Sequence, residues 1–286
     1  MPNLKDLLKK YLNEKELTLA PRSFDIIGNK EKAVAIVQIP EELESKKKLI
    51  AELITKLNKN VKTVLRKLSG RVGKYRLNRF EILLGDPNTE VIHKEFGYYL
   101  KLDPTKVFFS PREATERQRV ASQVQPGEKV LVMFSGVAPY IVAIVKKQPS
   151  VEKVYGIDIN PDAHRYALEN IRMNKISHKV VLINGDVRDV MPKMKEKFDR
   201  IVMPLSREGY MYLDLAFDRI KNGGIIHFYY APAPEEDLFS KAEEIVRKVA
   251  MEKGKDIEII HKVRVLPYGT RSWKICLDIK VFDRTS

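Results

Sequence analysis

The stretch that decides the fold is Val130-Leu131-Val132-Met133-Phe134-Ser135-Gly136-Val137-Ala138-Pro139, an apolar run that ends in a small-residue loop just before a helical pattern. The same grammar returns twice, in Tyr155-Gly156-Ile157-Asp158-Ile159-Asn160-Pro161 and in Asn184-Gly185-Asp186-Val187. Short apolar runs bounded by Gly, Asp and Pro read as buried strands. Working outward, strands are predicted over 130–134, 153–157, 180–184 and 200–203, with helices over 140–147 and 163–174 between them. That alternation predicts an α/β, doubly wound, mostly parallel sheet. Further on, a helix over 210–220, a turn at Gly223-Gly224, a strand over 225–230, a helix over 235–253 and strands over 256–265 and 272–282 complete the pattern, the last strand antiparallel.

Upstream the rhythm differs. Helical spacing over 4–12, strands over 24–27 and 33–39, an amphipathic helix over 41–57, and short strands over 61–65, 79–84, 90–94 and 98–102 predict a smaller α+β domain with a partly antiparallel sheet. The expected division is therefore an N-terminal α+β domain, 1–103, and a second, α/β domain, 104–286. A joining helix over 112–124 ends at Gln125-Pro126-Gly127.

Charge narrows the partner. Lys and Arg exceed Asp and Glu by 14 over 286 residues, which draws the protein to polyanions. Between Lys62 and Arg79 stand seven basic residues, Lys62, Arg66, Lys67, Arg71, Lys74, Arg76 and Arg79, with no acid among them. An unmixed run predicts phosphate contact rather than the ion-paired surface of a thermophile. No stretch reaches the roughly eighteen apolar residues of a membrane span, and Lys5, Asp6, Lys9 and Lys10 stand where a signal peptide needs its apolar centre, so a cytoplasmic location is expected. Cys276 is the single cysteine and reads as buried filler. The histidines are scattered without ligand spacing, so no metal is expected. His227 reads as a strand residue with a satisfied ring.

The strand ends carry the chemistry. Ligands of such sheets bind beyond the carboxyl ends of the strands. There Gly136 permits close backbone approach, Asp158 ends the second strand where an acid can accept both ribose hydroxyls, and Asp186 follows the third where a carboxylate can accept an adenine amino hydrogen. The plain alternative is that both acids merely cap the helices after them. A dinucleotide's pyrophosphate calls for the loop G-x-G-x-x-G at a helix N-terminus, whereas this loop has one glycine. A sulfonium nucleoside, S-adenosylmethionine, fits better.

At this point the chain resembles a known family. Val107-Phe108-Phe109-Ser110-Pro111-Arg112, Glu116-Arg117, Met133 to Pro139, Asp158-Ile159-Asn160-Pro161 and Met203-Pro204-Leu205 are similar to the archaeal and eukaryotic tRNA (guanine-37 N1)-methyltransferases and to their close relatives, the aminocarboxypropyltransferases of wybutosine synthesis. The resemblance runs over nearly the whole chain. It implies a class I methyltransferase (Rossmann-like) sheet with the smaller α+β domain before it, S-adenosylmethionine as cofactor, and the anticodon arm of tRNA as partner to a monomeric, metal-free enzyme. It also implies Glu116 as base for the N1 proton, Arg76 as the cation for charge on O6, and Pro204 at the reacting centre. Phe109, Ser110, Arg117, Phe134, Gly136, Asp158, Ile159, Asp186, Val187 and Pro204 fall where the family holds its cofactor. The simpler readings are phosphate contact for Arg76 and a helix-surface ion pair with Arg112 or Arg119 for Glu116. The target base needs an aromatic face, with Phe109 and Tyr210 as candidates.

Departures from the family pattern leave other readings open. Val132 stands where Asp is usual, Ala138 where Gly is usual, and Phe108 where Tyr is frequent. Pro204-Leu205-Ser206 replaces Asn-Leu-Pro, a change that the resemblance associates with methylation of a wyosine precursor as well. The expected activity is methyl transfer to N1 of guanosine 37. The alternatives are aminocarboxypropyl transfer, or a tRNA-binding protein on a decayed transferase scaffold.

Overall fold

The computed structural model describes residues 3–70, 73–233, 235–269 and 272–284, so Arg71 and Arg271 lie outside the described residues. By internal contacts the chain divides into two compact units, Met1–Pro111 and Arg112–Ser286.

The first unit opens with two short helices, α1 (Leu4–Leu8) and α2 (Glu14–Leu19), each started by a reciprocal cap: Asn3 with Asp6, and Asn13 with Glu16. These caps satisfy amide donors that a helix start leaves open. Strands β1 (Asp25–Gly28), β2 (Ala33–Val37), β3 (Val61–Lys67) and β4 (Phe80–Gly85) form one sheet in that order. Only the β2–β3 pair is parallel, because helix α3 (Lys47–Leu57) makes the crossover between them. This helix buries Ile50, Ala51, Leu53 and Ile54, an i, i+3, i+4 stripe that seals the sheet. The helix expected over 41–57 is broken: 41–46 is 3-10, with Leu43 non-helical at φ −105° and fully buried. Dropping Leu43 into the core outweighs continuing the helix. A separate hairpin joins β5 (Val91–Glu95) to β6 (Tyr98–Leu102).

The basic run divides between two roles. Arg66 is 7% exposed; it donates to the Ile39 carbonyl and pairs with Glu44 and Glu81, so it is a structural cation rather than a phosphate contact. Lys62, Lys74 and Arg79 are exposed.

The second unit begins with α4 (Ala114–Gln123) and then runs β7 (Lys129–Met133), α5 (Pro139–Lys147), β8 (Lys153–Asp158), α6 (Pro161–Met173), β9 (Val180–Asn184), α7 (Val187–Val190) and β10 (Phe198–Met203). After α8 (Leu213–Arg219) come β11 (Ile220–Tyr230), α9 (Ser240–Glu252), β12 (Lys255–Gly269) and β13 (Ser272–Asp283). Its seven strands lie in the order β12-β13-β11-β10-β7-β8-β9. The stretch from β11 to β9 is parallel, and β13 enters antiparallel between β11 and β12. This is the class I methyltransferase arrangement, and the order reverses beside β7, where open sheets of this kind form their ligand crevice.

Two expected boundaries are corrected. Gly223 and Gly224 do not form a turn: β11 passes through them, with Gly223 at φ +76° and a register shift against β10 between Phe198 and Arg200. A bulge, which glycine tolerates in the left-handed region, does the work assigned to the turn. Helix α9 starts at Ser240 rather than 235, because the Asp237 carboxylate collects the amides of Phe239 and Ser240 and the Ser240 hydroxyl. The N-cap itself is Phe239, without a side-chain cap bond, so the helix begins only after this turn at Asp237.

Candidate active site

The candidate cofactor rim lies at the carboxyl ends of β7, β8 and β9. The loop after β7 holds Phe134, Gly136 and Ala138 at φ +54°, +54° and +68°. The two non-glycine residues each bear about 1–2 kcal/mol for that conformation, and such strain gathers at ligand sites. In return the Gly136 amide turns toward the next strand end and donates to Asp158 Oδ2 at 2.7 Å, while the Asn160 amide donates to Oδ1 at 2.9 Å. The carboxylate is thereby fixed, with acceptor capacity left on both oxygens for a vicinal diol. Burial raises the Asp158 carboxyl above the usual aspartate value, and the two amides work against that.

Asp158 does not cap the helix after it; Asn160 does, accepting the Asp162 amide. Asp186 caps α7 through the Arg188 amide at 2.9 Å, so the capping role holds for this acid, on Oδ1. Both acids belong to one rim: the Gly185 amide and the Asn184 side chain donate to the Asp158 carbonyl at 3.0 and 2.8 Å. Ile159 is half-buried beside them and Val187 is buried. Phe134 meets Tyr212 edge-on at 5.0 Å, and the Arg188 guanidinium lies 4.6 Å from the Tyr212 ring centroid. Val132 is fully buried mid-strand, paired with Val202 and Gly156.

The other half of the unit carries a polar layer that the sequence reading missed. Glu116 is 6% exposed on α4. Its Oε1 accepts from Arg119 Nη2 at 2.8 Å and from the Tyr229 hydroxyl at 2.5 Å, and its Oε2 accepts from Arg119 Nε at 2.8 Å. Arg119 is therefore an ion-pair partner of Glu116, in a part-buried bidentate pair rather than on a helix surface. The Tyr140 hydroxyl donates to that of Tyr229 at 3.0 Å.

Arg119 in turn spans to Asp278 at 2.6 and 3.0 Å. Asp278 lies 2.6 Å from His227 Nδ1, and Arg200 donates to the other ring nitrogen at 2.8 Å. An arginine can only donate, so His227 carries its proton on Nδ1, facing Asp278. Burial holds the ring below the ordinary histidine value despite Asp278. The Asp278 carboxyl is held far below its usual range: hydrogen bonds from His227 and Arg119 outweigh burial, the largest single effect and an opposing one.

His227, Cys276 and Asp278 stand close enough to ligate a metal, yet the Arg119 guanidinium already donates to Cys276 Sγ at 3.4 Å and to Asp278, occupying the cation's place. Cys276 is thus a member of a polar layer rather than simple filler. Lys274, 2% exposed, donates to Glu113 at 2.9 Å and to the Pro204 carbonyl at 3.1 Å, with its ammonium 4.7 Å from the Tyr229 ring centroid. Pro204 is therefore anchored, through its carbonyl, to the same layer as Glu116. Arg117 is 2% exposed.

Of the remaining residues singled out, Arg76, Phe109 and Ser110 belong to the first unit. Arg76 is half-buried with φ +54°, and Ser110 is half-buried. Phe109 is 8% exposed and packs edge-on against His93 at 5.1 Å, so its ring offers no open face for a base. Tyr210, 40% exposed, keeps that possibility.

Comparison with known proteins bears on this geometry. Residues 91–260 match the TRM5/TYW2 methyltransferase domain, and residues 4–89 the TYW2 N-terminal domain. The chain belongs to the TRM5/TYW2 methyltransferase family. Among members of that family, it is 42% identical over 261 residues to the tRNA (guanine(37)-N(1))-methyltransferase Trm5b of Pyrococcus abyssi, covering 91% of this chain and 75% of that one. It is 32% identical to the tRNA(Phe) (4-demethylwyosine(37)-C(7)) aminocarboxypropyltransferase of Pyrococcus horikoshii, covering 98% and 97%. A third relative, at 32% over 87% of this chain and 90% of its own, is the tRNA 4-demethylwyosine(37)-methyltransferase Taw21 of Saccharolobus solfataricus. Similar solved structures include P. abyssi Trm5b (TM-score 0.85, 40% identity, 98% and 81% covered) and the complex of aTrm5 with tRNALeu (0.83, 34%, 98% and 78%). P. horikoshii TYW2 in complex with MeSAdo is a further one (0.77, 29%, 98% and 98%). Among the described residues, no helix is long and apolar enough to cross a membrane.

Proposed function

We propose that this protein uses S-adenosylmethionine to methylate N1 of guanosine 37 in tRNA. The observation that carries the reading is the Asp158 carboxylate, fixed at the rim by the Gly136 and Asn160 amides at 2.7 and 2.9 Å with acceptor capacity to spare. A ribose diol suits that acceptor, and the single glycine of the loop suits a ligand without a pyrophosphate. When bound, S-adenosylmethionine supplies an electrophilic methyl group on a sulfonium.

The chain's own residues then have distinct tasks. Guanine N1 bears a proton and is a poor nucleophile until it leaves. Glu116 takes that proton at Oε2, the oxygen that receives a single hydrogen bond among the described residues, so the ring nitrogen keeps its electron pair. Arg76 neutralises charge gathering on O6. Lys274 holds the Pro204 carbonyl and with it the loop after β10. Phe109, Ser110, Arg117, Phe134, Ile159, Asp186 and Val187 complete the proposed cofactor set. Exposed Lys62, Lys74 and Arg79 contact phosphates of the anticodon arm, the protein acts as a monomer without metal, and its place of work is the cytoplasm.

A second reading, aminocarboxypropyl transfer, is favoured by the match of residues 4–89 to the TYW2 N-terminal domain. The two differ in which carbon of the sulfonium faces the nucleophile. Nucleoside mass spectrometry of tRNA incubated with the protein and cofactor labelled separately in its methyl and aminocarboxypropyl carbons decides between them. A one-carbon label on guanosine 37 is expected; a label on the longer chain replaces this reading with the second, and a one-carbon label on a wyosine precursor extends it. No label with any tRNA removes both.

A further inference from the structure

The hairpin of β12 and β13 outruns the sheet it belongs to. Pairing of β13 with β11 ends at Tyr230↔Ile275, whereas β12 and β13 stay paired through Leu266↔Lys274 and Pro267↔Trp273 to Gly269↔Ser272. The overhang therefore projects past the carboxyl end of β11, along the edge where the candidate cofactor rim lies. Register shifts fall within it between Arg264 and Leu266 and between Pro267 and Gly269. Tyr268 is the extra residue of the second, and a bulge of this kind re-aims a side chain.

Tyr268 is aimed at the loop after β10. Its hydroxyl lies 2.7 Å from that of Ser206, which is 3% exposed although Arg207 and Glu208 after it are exposed. The Arg207 guanidinium stands 6.0 Å from the Tyr268 ring centroid, and Lys274, also on the overhang, donates to the Pro204 carbonyl at 3.1 Å. The Ser206 carbonyl accepts the Ala231 amide at 3.0 Å. At the far end of the same loop the Met211 carbonyl accepts from Arg188 at 2.7 Å, and the Tyr212 ring meets Phe134. Both ends of 204–212 are thus tied down. Because β10 and β7 pair in parallel from Arg200↔Val130 to Val202↔Val132, the loops that follow them leave the sheet side by side, where the strand order reverses.

We propose that Tyr268 is a positioning residue for group transfer, which through the Ser206 hydroxyl holds 204–206 at a fixed place beside the loop that carries Gly136. The proposal rests on the reading of Pro204 as part of the reacting centre. A misplacement of about 1 Å beside reacting atoms can cost roughly a hundredfold in rate, so a tether two residues from Pro204 has consequences that the same bond elsewhere lacks. The plain alternative is that the bond merely satisfies a buried hydroxyl. A serine usually meets that need locally, from backbone a few residues away. Here the partner comes from 62 positions along the chain, on a bulge at the tip of an overhang whose Lys274 holds the same loop.

The test is single-turnover transfer of labelled carbon from the cofactor to full-length tRNA, at saturating cofactor and tRNA, by the intact protein and its variants Tyr268→Phe, Ser206→Ala and the two combined. Cofactor affinity by calorimetry, tRNA affinity by filter binding and a melting curve accompany each. Each single change should lower the rate roughly tenfold, the size of one hydrogen bond, with both affinities unchanged. The double variant should be no slower than either single one, because the same bond is lost in all three. Unchanged rates, with or without a lower melting temperature, overturn the proposal and leave the bond as satisfaction of a buried hydroxyl. Losses that add in the double variant overturn it as well, since the two residues then act separately. So does a loss of cofactor affinity alongside the rate, which assigns the bond to general upkeep of the rim. If Ser206→Ala does not fold, Tyr268→Phe, which keeps the half-buried ring and removes only the hydroxyl, decides alone by the same criteria. No transfer of either carbon by the unaltered protein removes the proposed function and this inference together; transfer by the unaltered protein at a rate the variants share removes the inference only.

Discussion

The two ends of the second unit's sheet solve different problems with carboxylates. At the β7–β8–β9 end, Asp158 is held by two backbone amides at a strand terminus, and its environment is supplied by residues within about one strand and helix of it. At the β10–β11–β13 end, Glu116 is held by side chains alone, from Arg119 and Tyr229, and through Arg119 by Asp278. The first arrangement depends on local backbone conformation, including Ala138 at φ +68°. The second depends on long-range packing, so damage to it should appear in the rate of transfer before it appears in cofactor affinity.

Substitution at each end tests that separation. Glu116→Gln keeps the shape of the helix face and removes the proposed proton acceptor. Its transfer rate should fall by roughly 10²–10⁴-fold, the usual span for losing a general base, with calorimetric affinity for S-adenosylmethionine unchanged. Asp158→Ala should do the reverse, costing about 2 kcal/mol of cofactor binding, roughly thirtyfold in Kd by calorimetry, while transfer at saturating cofactor falls far less. If both variants lose affinity and rate together, the two ends are not independent and the comparison fails.

Acidification should act on the polar layer first. Because His227 has its pKa lowered in the folded protein, the unfolded chain binds more protons in the region below the ordinary histidine value, and stability falls as pH drops through about 6.5. Asp278, also lowered, contributes stability that is present above the unfolded aspartate value of about 3.9 and is lost as pH falls below it. Thermal melts should therefore show a first decline below about pH 6.5 that His227→Gln flattens. A decline of the same size in that variant would assign it elsewhere. The smallest expected effect lies at the rim: Ala138→Gly removes a left-handed alanine, relieving about 1–2 kcal/mol of strain against about 0.5–1 kcal/mol of added chain entropy. A rise in Tm of a few degrees at most is expected, and a fall would mean that the methyl group packs usefully.

The contrast also explains what could be read in advance. The rim was legible because strand periodicity and turn residues are local signals: the runs ending at Gly136, Asp158 and Asp186 arrive at one edge by parallel pairing alone. The polar layer was not, because Glu116 and Asp278 come from distant parts of the chain. A signal existed nonetheless. Lys274, Cys276 and Asp278 alternate along one strand, as do His227 and Tyr229 on another, and a period-two row of polar groups on a buried strand marks a face that must be paired. The turn assigned to Gly223-Gly224 failed for a related reason: glycine pairs signal a departure from regular backbone, but a bulge inside a long strand meets the same need. Phe109 read as a stacking surface because ring type is visible in sequence and ring orientation is not.

The 159 positions between Arg119 and Asp278 give the shared guanidinium a further meaning during synthesis. The helix bearing Glu116 and Arg119 leads the second unit out of the ribosome, whereas the strand bearing Asp278 emerges after all the parallel strands. Until β13 pairs with β11, a nascent chain lacks both the acid that holds Arg119 and four apolar residues, Ile275, Leu277, Ile279 and Val281, of the core that packs Leu131, Met133 and Ile157. A frameshift or early stop upstream of residue 274 therefore removes part of the core that the rim strands share, as well as the acid on Arg119.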